Sequence, residues 1–431
     1  MQVIDLLLGA YFVERAADRM MEYVETRVVP RWNVSRAFQT LVFLKPTALT
    51  PAALVLREAG PSYLATISIG GVKERLRAFF RDHYHLISSE RLHDQKFSES
   101  MAVKMSNSGK LDLAAALAVS EIFRPKGQLL VFPVTPMSVA DDFISDAFFL
   151  IRPQALPDHL PTWLDLKKIN SEQMPPFTGS PASKNDVGAW LGVEAAVEEA
   201  AKKTKRIVLG AIALAPIQRE RWSFTLRSCV QNYCGFSDKA WTASSSPHTP
   251  PIGAKIVIRA DDKPWLLELA RIIDSPEKPD RHKRNALEYF FRAWFLDKVE
   301  RCPVLFMALD AIYGQSGAGA ATAKMKNGIV GTICNLNIEA NIDSMMVLRN
   351  LVLHGAVPDV YLSSKYRDYY RTFDRDLMDD LEAITVKCLR KHIFGDLFTP
   401  QDDPYADLIS KHEGLGTIPS MGLGPIVAEW P

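Results

Sequence analysis

NIDSMMVLRNLVLHG, residues 341–355, is the stretch from which the fold and the site of this chain are best predicted. Its apolar residues recur at helical spacing, and Gly355 followed by Pro358 is typical of a helix end, so a helix is predicted over 341–354. Arg349 falls near the middle of the apolar face of that helix. Because an arginine is costly to bury without a partner, Arg349 needs either a nearby carboxylate or an open face.

The preceding apolar segment, PVLFMALDAIY (303–313), is predicted to be another helix, which begins at its proline. Asp310 is the only residue of this segment that is not apolar. A single carboxylate on a buried helix also needs a partner, so we predict that Asp310 and Arg349 face each other across a helical bundle or share a polar cleft. Asp310 then either supports catalysis or only neutralises Arg349.

The end of the 341–354 helix carries two further polar residues. Asn350 and His354 are four residues apart, so they lie on one side of the helix, and the amide is predicted to orient the imidazole. Histidine can move a proton near neutral pH, and arginine can hold a phosphate and stabilise its developing charge. Cleavage of RNA by its own 2′-hydroxyl requires this set of groups and needs no metal. The structural alternative is a buried ion pair beside a helix-capping histidine.

Amphipathic segments surround these residues and indicate a small helical bundle. The residues 314–335, which are rich in Gly, Ala and Lys, are predicted to form a loop within it. The four helices of the bundle are predicted over residues 284–299, 303–313, 341–354 and 374–394.

This part of the chain resembles the HEPN domain family in its Apea-like branch. RNLVLHG (349–355) is similar to the Arg-polar-x3-His signature of HEPN domains. ALEYFFRAW (286–294) and VLFMALDAIYG (304–314) resemble the first two helices of the branch. The resemblance covers about residues 280–395. The branch often has Glu at the place of Asp310 and a small polar residue such as Ser at the place of Asn350.

The resemblance implies a four-helix bundle that dimerises, so that two copies of the motif form one composite cleft. Many members are endoribonucleases in antiviral defence or toxin systems, whereas others have lost activity and only bind. The expected function is therefore a metal-independent endoribonuclease with Arg349, Asn350, His354 and Asp310 at its active site and an antitoxin or phage-derived factor as its regulator. The alternative is a catalytically inactive dimerisation or RNA-binding module. No metal or cofactor is expected.

SSKYRDYYRTFDR (363–375) interleaves basic and aromatic residues just after the motif. Such a mixture can follow a phosphate backbone and stack on bases, which makes Lys365, Arg367, Tyr369 and Arg371 candidate RNA-binding residues. The alternative is a solvated helix whose tyrosines pack inward.

The fold class predicted for the whole chain is α+β, a mixed α/β region followed by the all-α bundle. Helices are expected over 5–28, 72–86, 111–123 and 186–205. Strands are expected over 40–45, 63–69, 128–134, 147–152, 206–214, 222–230 and 255–259. The predicted organisation is a mixed α/β domain (1–152), a Pro-rich connection (153–185), an α/β segment packing with the C-terminal domain (186–279), the bundle (280–395) and an acidic tail (396–431).

Composition narrows the class of protein further. The chain of 431 residues has a formal net charge of +1, so any nucleic-acid site must be a local patch rather than a global field. Its five cysteines complete no zinc pattern, and His83, His85 and His93 form a loose cluster without matching ligands. No apolar stretch is long enough to span a membrane, and a cytoplasmic protein is expected.

Overall fold

The computed structural model describes residues 1–28, 36–92, 95–134, 137–164, 187–215, 233–244, 256–293, 296–314, 321–333, 338–398, 411 and 414–416. The chain is mixed α and β, as predicted, and divides into two compact units. Unit 1 comprises Met1–Gly127 with Ala196–Ala200, and unit 2 comprises Gln128–Ala195 with Ala201–Pro431. The first boundary therefore follows Gly127 rather than residue 152.

Unit 1 combines a small antiparallel sheet with helices. The strands have the order β1-β3-β2, and the register sets Tyr23 opposite Leu41. The elements are α1 (Gln2–Gly9), β1 (Tyr11–Phe12), β2 (Met20–Val28), β3 (Arg36–Leu44), α2 (Thr50–Ala59), α3 (Ile69–Asp82), α4 (Tyr84–Ser88), α5 (Met101–Lys104) and α6 (Asn107–Val119).

A polar contact is buried in the core of unit 1. The Tyr11 ring stacks on Phe80 with ring centroids 3.5 Å apart, and its hydroxyl donates to Glu22 Oε2 at 3.1 Å. Arg77 Nε donates to the other oxygen of Glu22 at 2.6 Å. Burial, and then the charge of Glu22, raise the pKa of Tyr11, so the phenol stays a neutral donor.

The prediction of a helix over residues 5–28 is wrong beyond α1. β2 occupies the end of that range, and its side chains alternate between exposed Met21 and Tyr23 and buried Glu22 and Val24. A repeat of two residues is the period of a strand, and the sheet contact with β3 stabilises it.

Unit 2 contains a six-stranded antiparallel sheet with the order β10-β9-β4-β8-β7-β6. In β4, a central strand of the sheet, successive side chains belong to different hydrophobic cores. Leu130 and Phe132 pack in the core that contains the helices, and Val131 packs with Trp190 and Cys234 on the other face. The strands are β4 (Gln128–Val134), β5 (Met137–Val139), β6 (Phe143–Ile144), β7 (Phe149–Ile151), β8 (Ala189–Ala195), β9 (Tyr233–Phe236), β10 (Trp241–Ser244) and β11 (Ile256–Ile258). β11 pairs with β5 in parallel.

Helices form the rest of unit 2. They are α7 (Leu156–His159), α8 (Glu198–Ile212), α9 (Lys263–Asp274), α10 (Lys278–Ala293), α11 (Lys298–Tyr313), α12 (Ala321–Ile333), α13 (Ile338–Leu353), α14 (Ser364–Phe373) and α15 (Leu377–Phe394). The first three residues of α8 belong to unit 1. α15 is the central helix, and even its polar residues Asp380, Glu382 and Arg390 are buried. Each of these three has a polar partner: Tyr369 for Asp380, Arg301 for Glu382 and the Leu214 carbonyl for Arg390.

Several strand and helix predictions are confirmed. β3, β4, β7 and β11 lie within or across the strands predicted at 40–45, 128–134, 147–152 and 255–259. Helices also occur at 72–86, with a break at His83, and over 111–119 of the predicted range 111–123. The strand predicted at 63–69 is wrong, because Ser62–Thr66 forms a 3-10 helix and α3 begins at Ile69.

The two predictions on either side of residue 205 are wrong in opposite directions. The expected helix at 186–205 begins as β8, because its apolar start, AWLGV, pairs with β4. The expected strand at 206–214 belongs largely to α8, which runs on from a helix-forming segment. A short apolar run is compatible with a buried strand and with a buried helix, and its flanking residues decide between them. The strand expected at 222–230 lies outside the described residues.

The C-terminal part of the chain has more helices than the four predicted. Residues expected to form a loop contain α12, which buries Met325, Ile329 and Ile333 at four-residue spacing. α11 begins at Lys298, so Pro303 lies inside the helix rather than at its start. Among the described residues, no helix has the length and apolar character needed to cross a bilayer.

The close packing of α8 against α10 yields a stability prediction. A Cβ on Gly210 would clash with the carbonyl oxygen of Leu287, which is backbone and cannot rotate away. Gly210→Ala is therefore expected to lower the free energy of unfolding by about 1–3 kcal/mol in urea denaturation. Gly331→Ala is the matched control, because a Cβ there meets nothing within 4 Å; it should be neutral or stabilise by up to about 1 kcal/mol. Equal effects of the two changes would contradict the prediction.

Candidate functional site

The candidate site lies at the C-terminal end of α13, where the backbone turns sharply. Gly355 has a φ of +72°, and the N–H of Ala356 donates to the Leu351 carbonyl at 2.9 Å. The N–H of Gly355 donates to the Val352 carbonyl at 3.1 Å. These two bonds form a Schellman motif, which fixes His354 as the last residue before the chain leaves the helix.

Arg349 and Asp310 form an ion pair between α13 and α11, as predicted. Arg349 Nη2 donates to Asp310 Oδ2 at 2.5 Å. The Arg349 side chain is 11% exposed and that of Asp310 is 31% exposed, so the pair lies at the edge of the core. Gly314 allows this close approach, because a Cβ at this position would lie 2.6 Å from the Asp310 carbonyl oxygen and 3.3 Å from Asp310 Oδ1.

Each member of the ion pair has a polar atom that the pairing does not use. Arg349 Nε and Asp310 Oδ1 are buried and have no hydrogen-bond partner among the residues that the structure describes. Arg349 Nη1 donates to Asn350 Oδ1 at 3.1 Å. The amide of Asn350 is therefore oriented toward the guanidinium, and the prediction that it orients the His354 imidazole is wrong.

His354 is exposed, and its ring has no polar contact within the described part of the chain. Its backbone N–H closes the last turn by donating to the Asn350 carbonyl at 3.0 Å. At about 100° per residue, Arg349 and His354 leave the helix in directions about 140° apart. Arg349 thus contacts the neighbouring helix α11, whereas His354 projects into solvent.

Tyr369 does not lie with the basic residues of α14. Its side chain is 1% exposed, and its hydroxyl donates to Asp380 Oδ2 at 2.6 Å. Burial, followed by the charge of Asp380, raises the pKa of Tyr369 above its ordinary range, so the phenol remains a neutral donor. Its assignment as an RNA-binding residue is wrong, because the ring belongs to the core.

The exposed face of α14 carries a different tyrosine. Tyr370 is 49% exposed, and Arg367 and Arg371 flank it at i−3 and i+1. Neither arginine has an ion-pair partner among the described residues, whereas Lys365 pairs with Asp368 at 3.2 Å. We call Arg367, Tyr370 and Arg371 the α14 stripe. Helical spacing could have identified Tyr370, because residues three and four apart share a face.

The described residues contain no group of three or more His, Cys, Asp or Glu side chains that could hold a metal ion. His83 and His85 have ring centroids 6.1 Å apart, and His93 lies outside the described residues. Cys302 and Cys388 are buried, and burial raises the pKa of each thiol to about 12. These thiols therefore pack as small apolar groups.

Comparison with protein-family models, with curated proteins and with solved structures finds no match for this chain. The assignment of the C-terminal helices to the HEPN family therefore stays a proposal that rests on the resemblance of the motifs.

Proposed function

We propose that the C-terminal helices form a HEPN-type, metal-independent endoribonuclease, in which His354 and Arg349 act on the scissile phosphate. The observation that carries the proposal is the pair of functional groups at the end of α13: an exposed imidazole, and a guanidinium that Asp310 holds. A histidine needed only for packing would be buried, whereas this one is free to meet a ligand. The proposed effector acts in antiviral defence or as a toxin, in the cytoplasm.

The chemistry follows from the two side chains. The 2′-oxygen of a ribonucleotide attacks the adjacent phosphorus, and the bond to the 5′-oxygen breaks to leave a 2′,3′-cyclic phosphate and a 5′-hydroxyl. His354 removes the proton from the 2′-hydroxyl or supplies one to the departing oxygen. Arg349 stabilises the charge on the phosphorane, and Asp310 and Asn350 hold its guanidinium in place.

A second copy of the chain completes the proposed cleft. Because Arg349 and His354 leave α13 in directions about 140° apart, one copy does not direct both groups to the same side of the helix. A symmetric dimer would set the exposed His354 of each copy beside the site of the other. The proposed homodimer therefore contacts through the C-terminal helices.

The α14 stripe supports single-stranded RNA as the substrate. Two arginines without a carboxylate partner in the described structure can contact phosphates, and the exposed Tyr370 ring offers a stacking face to a base. Lys365 adds a cation that is shared with Asp368. Tyr370 replaces Tyr369 in this proposal.

The proposal is tested with the purified full chain, total RNA and excess EDTA. Cleavage that persists in EDTA and leaves 2′,3′-cyclic phosphate ends supports it. Cleavage that EDTA abolishes, or products with 5′-phosphate ends, would overturn it. Size-exclusion chromatography with light scattering on the same sample tests the dimer.

Arg349→Ala is expected to reduce cleavage about 10²–10³-fold, the usual effect of removing one group that stabilises transition-state charge. It is also expected to lower the free energy of unfolding by about 1–3 kcal/mol, because Asp310 loses its partner at the edge of the core. Both quantities are measured on the same preparation, by initial rates and by urea unfolding. Full activity in this variant would contradict the assignment.

Asp310→Asn separates the two roles left open for the carboxylate. If Asp310 positions Arg349, the variant should lose cleavage while circular dichroism shows a folded protein. If Asp310 only neutralises the guanidinium, the variant should retain most of the cleavage activity and instead unfold at lower urea concentration, because Arg349 then lacks a counter-charge at the edge of the core.

One observation favours a non-catalytic alternative, a dimerisation or RNA-binding module. Arg349 already contacts both Asp310 and Asn350, and no described residue orients the imidazole of His354. This alternative predicts RNA binding without turnover and no functional cost of His354→Ala.

A further inference from the structure

α10 carries a polar pocket on the face that it does not bury in the core. The pocket has a volume of about 160 Å³ and is lined by Asn285, Glu288, Tyr289 and Arg292. These residues stand at i, i+3, i+4 and i+7, so they form one stripe along the helix. The proposed ribonuclease chemistry uses none of them.

Cations converge on the carboxylate of this pocket. Arg206 Nε on α8 and Arg292 Nη2 both donate to Glu288 Oε1, at 3.0 and 2.8 Å. Burial alone would raise the pKa of Glu288, but Arg206, Arg292 and Lys203 outweigh it and hold the pKa below its usual value. Three cations therefore surround one ionised carboxylate, and the cluster has a local excess of positive charge.

Each group of the cluster keeps unused hydrogen-bonding capacity. The Arg292 side chain is 55% exposed and uses one nitrogen for Glu288, so its other donors are open to a ligand. Glu288 Oε2 accepts no hydrogen bond from the part of the chain that the structure describes. The pocket thus offers donors for an anion beside an acceptor that a hydroxyl can satisfy.

A flat surface completes the pocket. The Arg292 guanidinium lies over the Tyr289 ring, 5.8 Å from its centroid, and the two together present a stacking surface. Asn285 adds an amide that can read a base edge.

We infer that this pocket binds a phosphorylated ribonucleotide. The phosphate contacts Arg292, a ribose hydroxyl donates to Glu288, and the base packs on Tyr289, while Arg206, which also binds Glu288, adds positive charge. A simple inorganic anion does not satisfy the buried carboxylate, whereas a ribonucleotide carries the anion and the donor together. The ligand is either a free nucleotide or one residue of an RNA strand, since both present the same groups. The inference does not rest on the proposed function.

The test uses the full chain with His354→Ala, so that no RNA is cleaved, and isothermal titration calorimetry. The probes are adenosine 5′-monophosphate, its 2′-deoxy form and a single-stranded oligouridylate. Saturable binding of the ribonucleotide or of the oligonucleotide is expected, about tenfold weaker with Arg292→Ala. Binding of the monophosphate identifies a free nucleotide as the source, and binding of the oligonucleotide alone identifies RNA.

Arg281→Ala is the matched control, because Arg281 is an exposed arginine of α10 three turns from Arg292 that does not line the pocket. Asn285→Ala gives a second variant, expected to weaken binding without altering the ion pair. The absence of binding by all three probes, equal binding of adenosine 5′-monophosphate and its 2′-deoxy form, or binding that Arg292→Ala and Arg281→Ala change equally would overturn the inference. An inactive ribonuclease would not, because the titration has no cleavage step.

Discussion

His354→Ala is expected to reduce RNA cleavage about 10²–10⁴-fold, the usual contribution of a general acid or base. The same change should alter the free energy of unfolding by no more than about 0.5 kcal/mol, because the His354 side chain is exposed and its ring has no polar contact with the described residues. The separation of these two effects is what distinguishes a catalytic histidine from a structural one.

The experiment compares initial rates in EDTA with urea unfolding of the same preparations. His85→Ala is the matched control, because His85 is exposed in unit 1 and lies outside the proposed site. Full activity of His354→Ala, or an equal loss in both variants, would remove His354 from the mechanism. RNA binding that survives while cleavage disappears would strengthen the assignment, since general acid–base chemistry does not require tighter binding of the substrate.

Regular helices were predictable from the sequence because their apolar residues repeat with the helical period. α10, α11, α13 and α15 all overlap their predicted ranges, and Gly355 ends α13 with the left-handed turn that its sequence indicated. A period of 3.6 is readable only over several turns, however. The short apolar run AWLGV was predicted to be helical but forms a strand, because it pairs with β4. The run RIVLGAIAL was predicted to be a strand but lies largely in α8, because a helical segment precedes it.

Within the candidate site, the ion pair was predictable from the sequence, because a buried charge needs a partner of opposite charge. A lone Asp310 and a lone Arg349 on apolar helices had to be neutralised, and the structure pairs them. Asn350 and Tyr369 were assigned by sequence proximity alone, which does not say toward which neighbour a side chain turns. Asn350 contacts Arg349, and Tyr369 contacts Asp380 in the core, since a buried carboxylate on α15 needs a donor.

Arg301→Ala is expected to be the most destabilising single change, lowering the free energy of unfolding by about 3–5 kcal/mol. Arg301 Nη1 and Glu382 Oε1 are 2.5 Å apart, and the two side chains are only 6% and 4% exposed. Arg301 also donates to the carbonyl oxygens of Ala293 and Leu296. It thereby ties the first turn of α11 to the end of α10 and to α15, and its removal leaves a carboxylate in the core without this cation.

A double substitution separates the loss of an ion pair from the exposure of its partner charge. Arg301→Met with Glu382→Leu should recover part of the stability lost in Arg301→Ala, because neither position of the pair then carries a buried charge, although two carbonyl groups lose a donor. Lys365→Ala is the control: the Lys365–Asp368 pair is 56% exposed on both sides, so its loss should cost less than about 1 kcal/mol. If urea unfolding gave similar values for Arg301→Ala and Lys365→Ala, the contact between α11 and α15 would not be a main source of stability. α11 also carries Asp310, nine residues after Arg301. A large loss of stability in Arg301→Ala would therefore mean that the position of the candidate site depends on the Arg301–Glu382 ion pair.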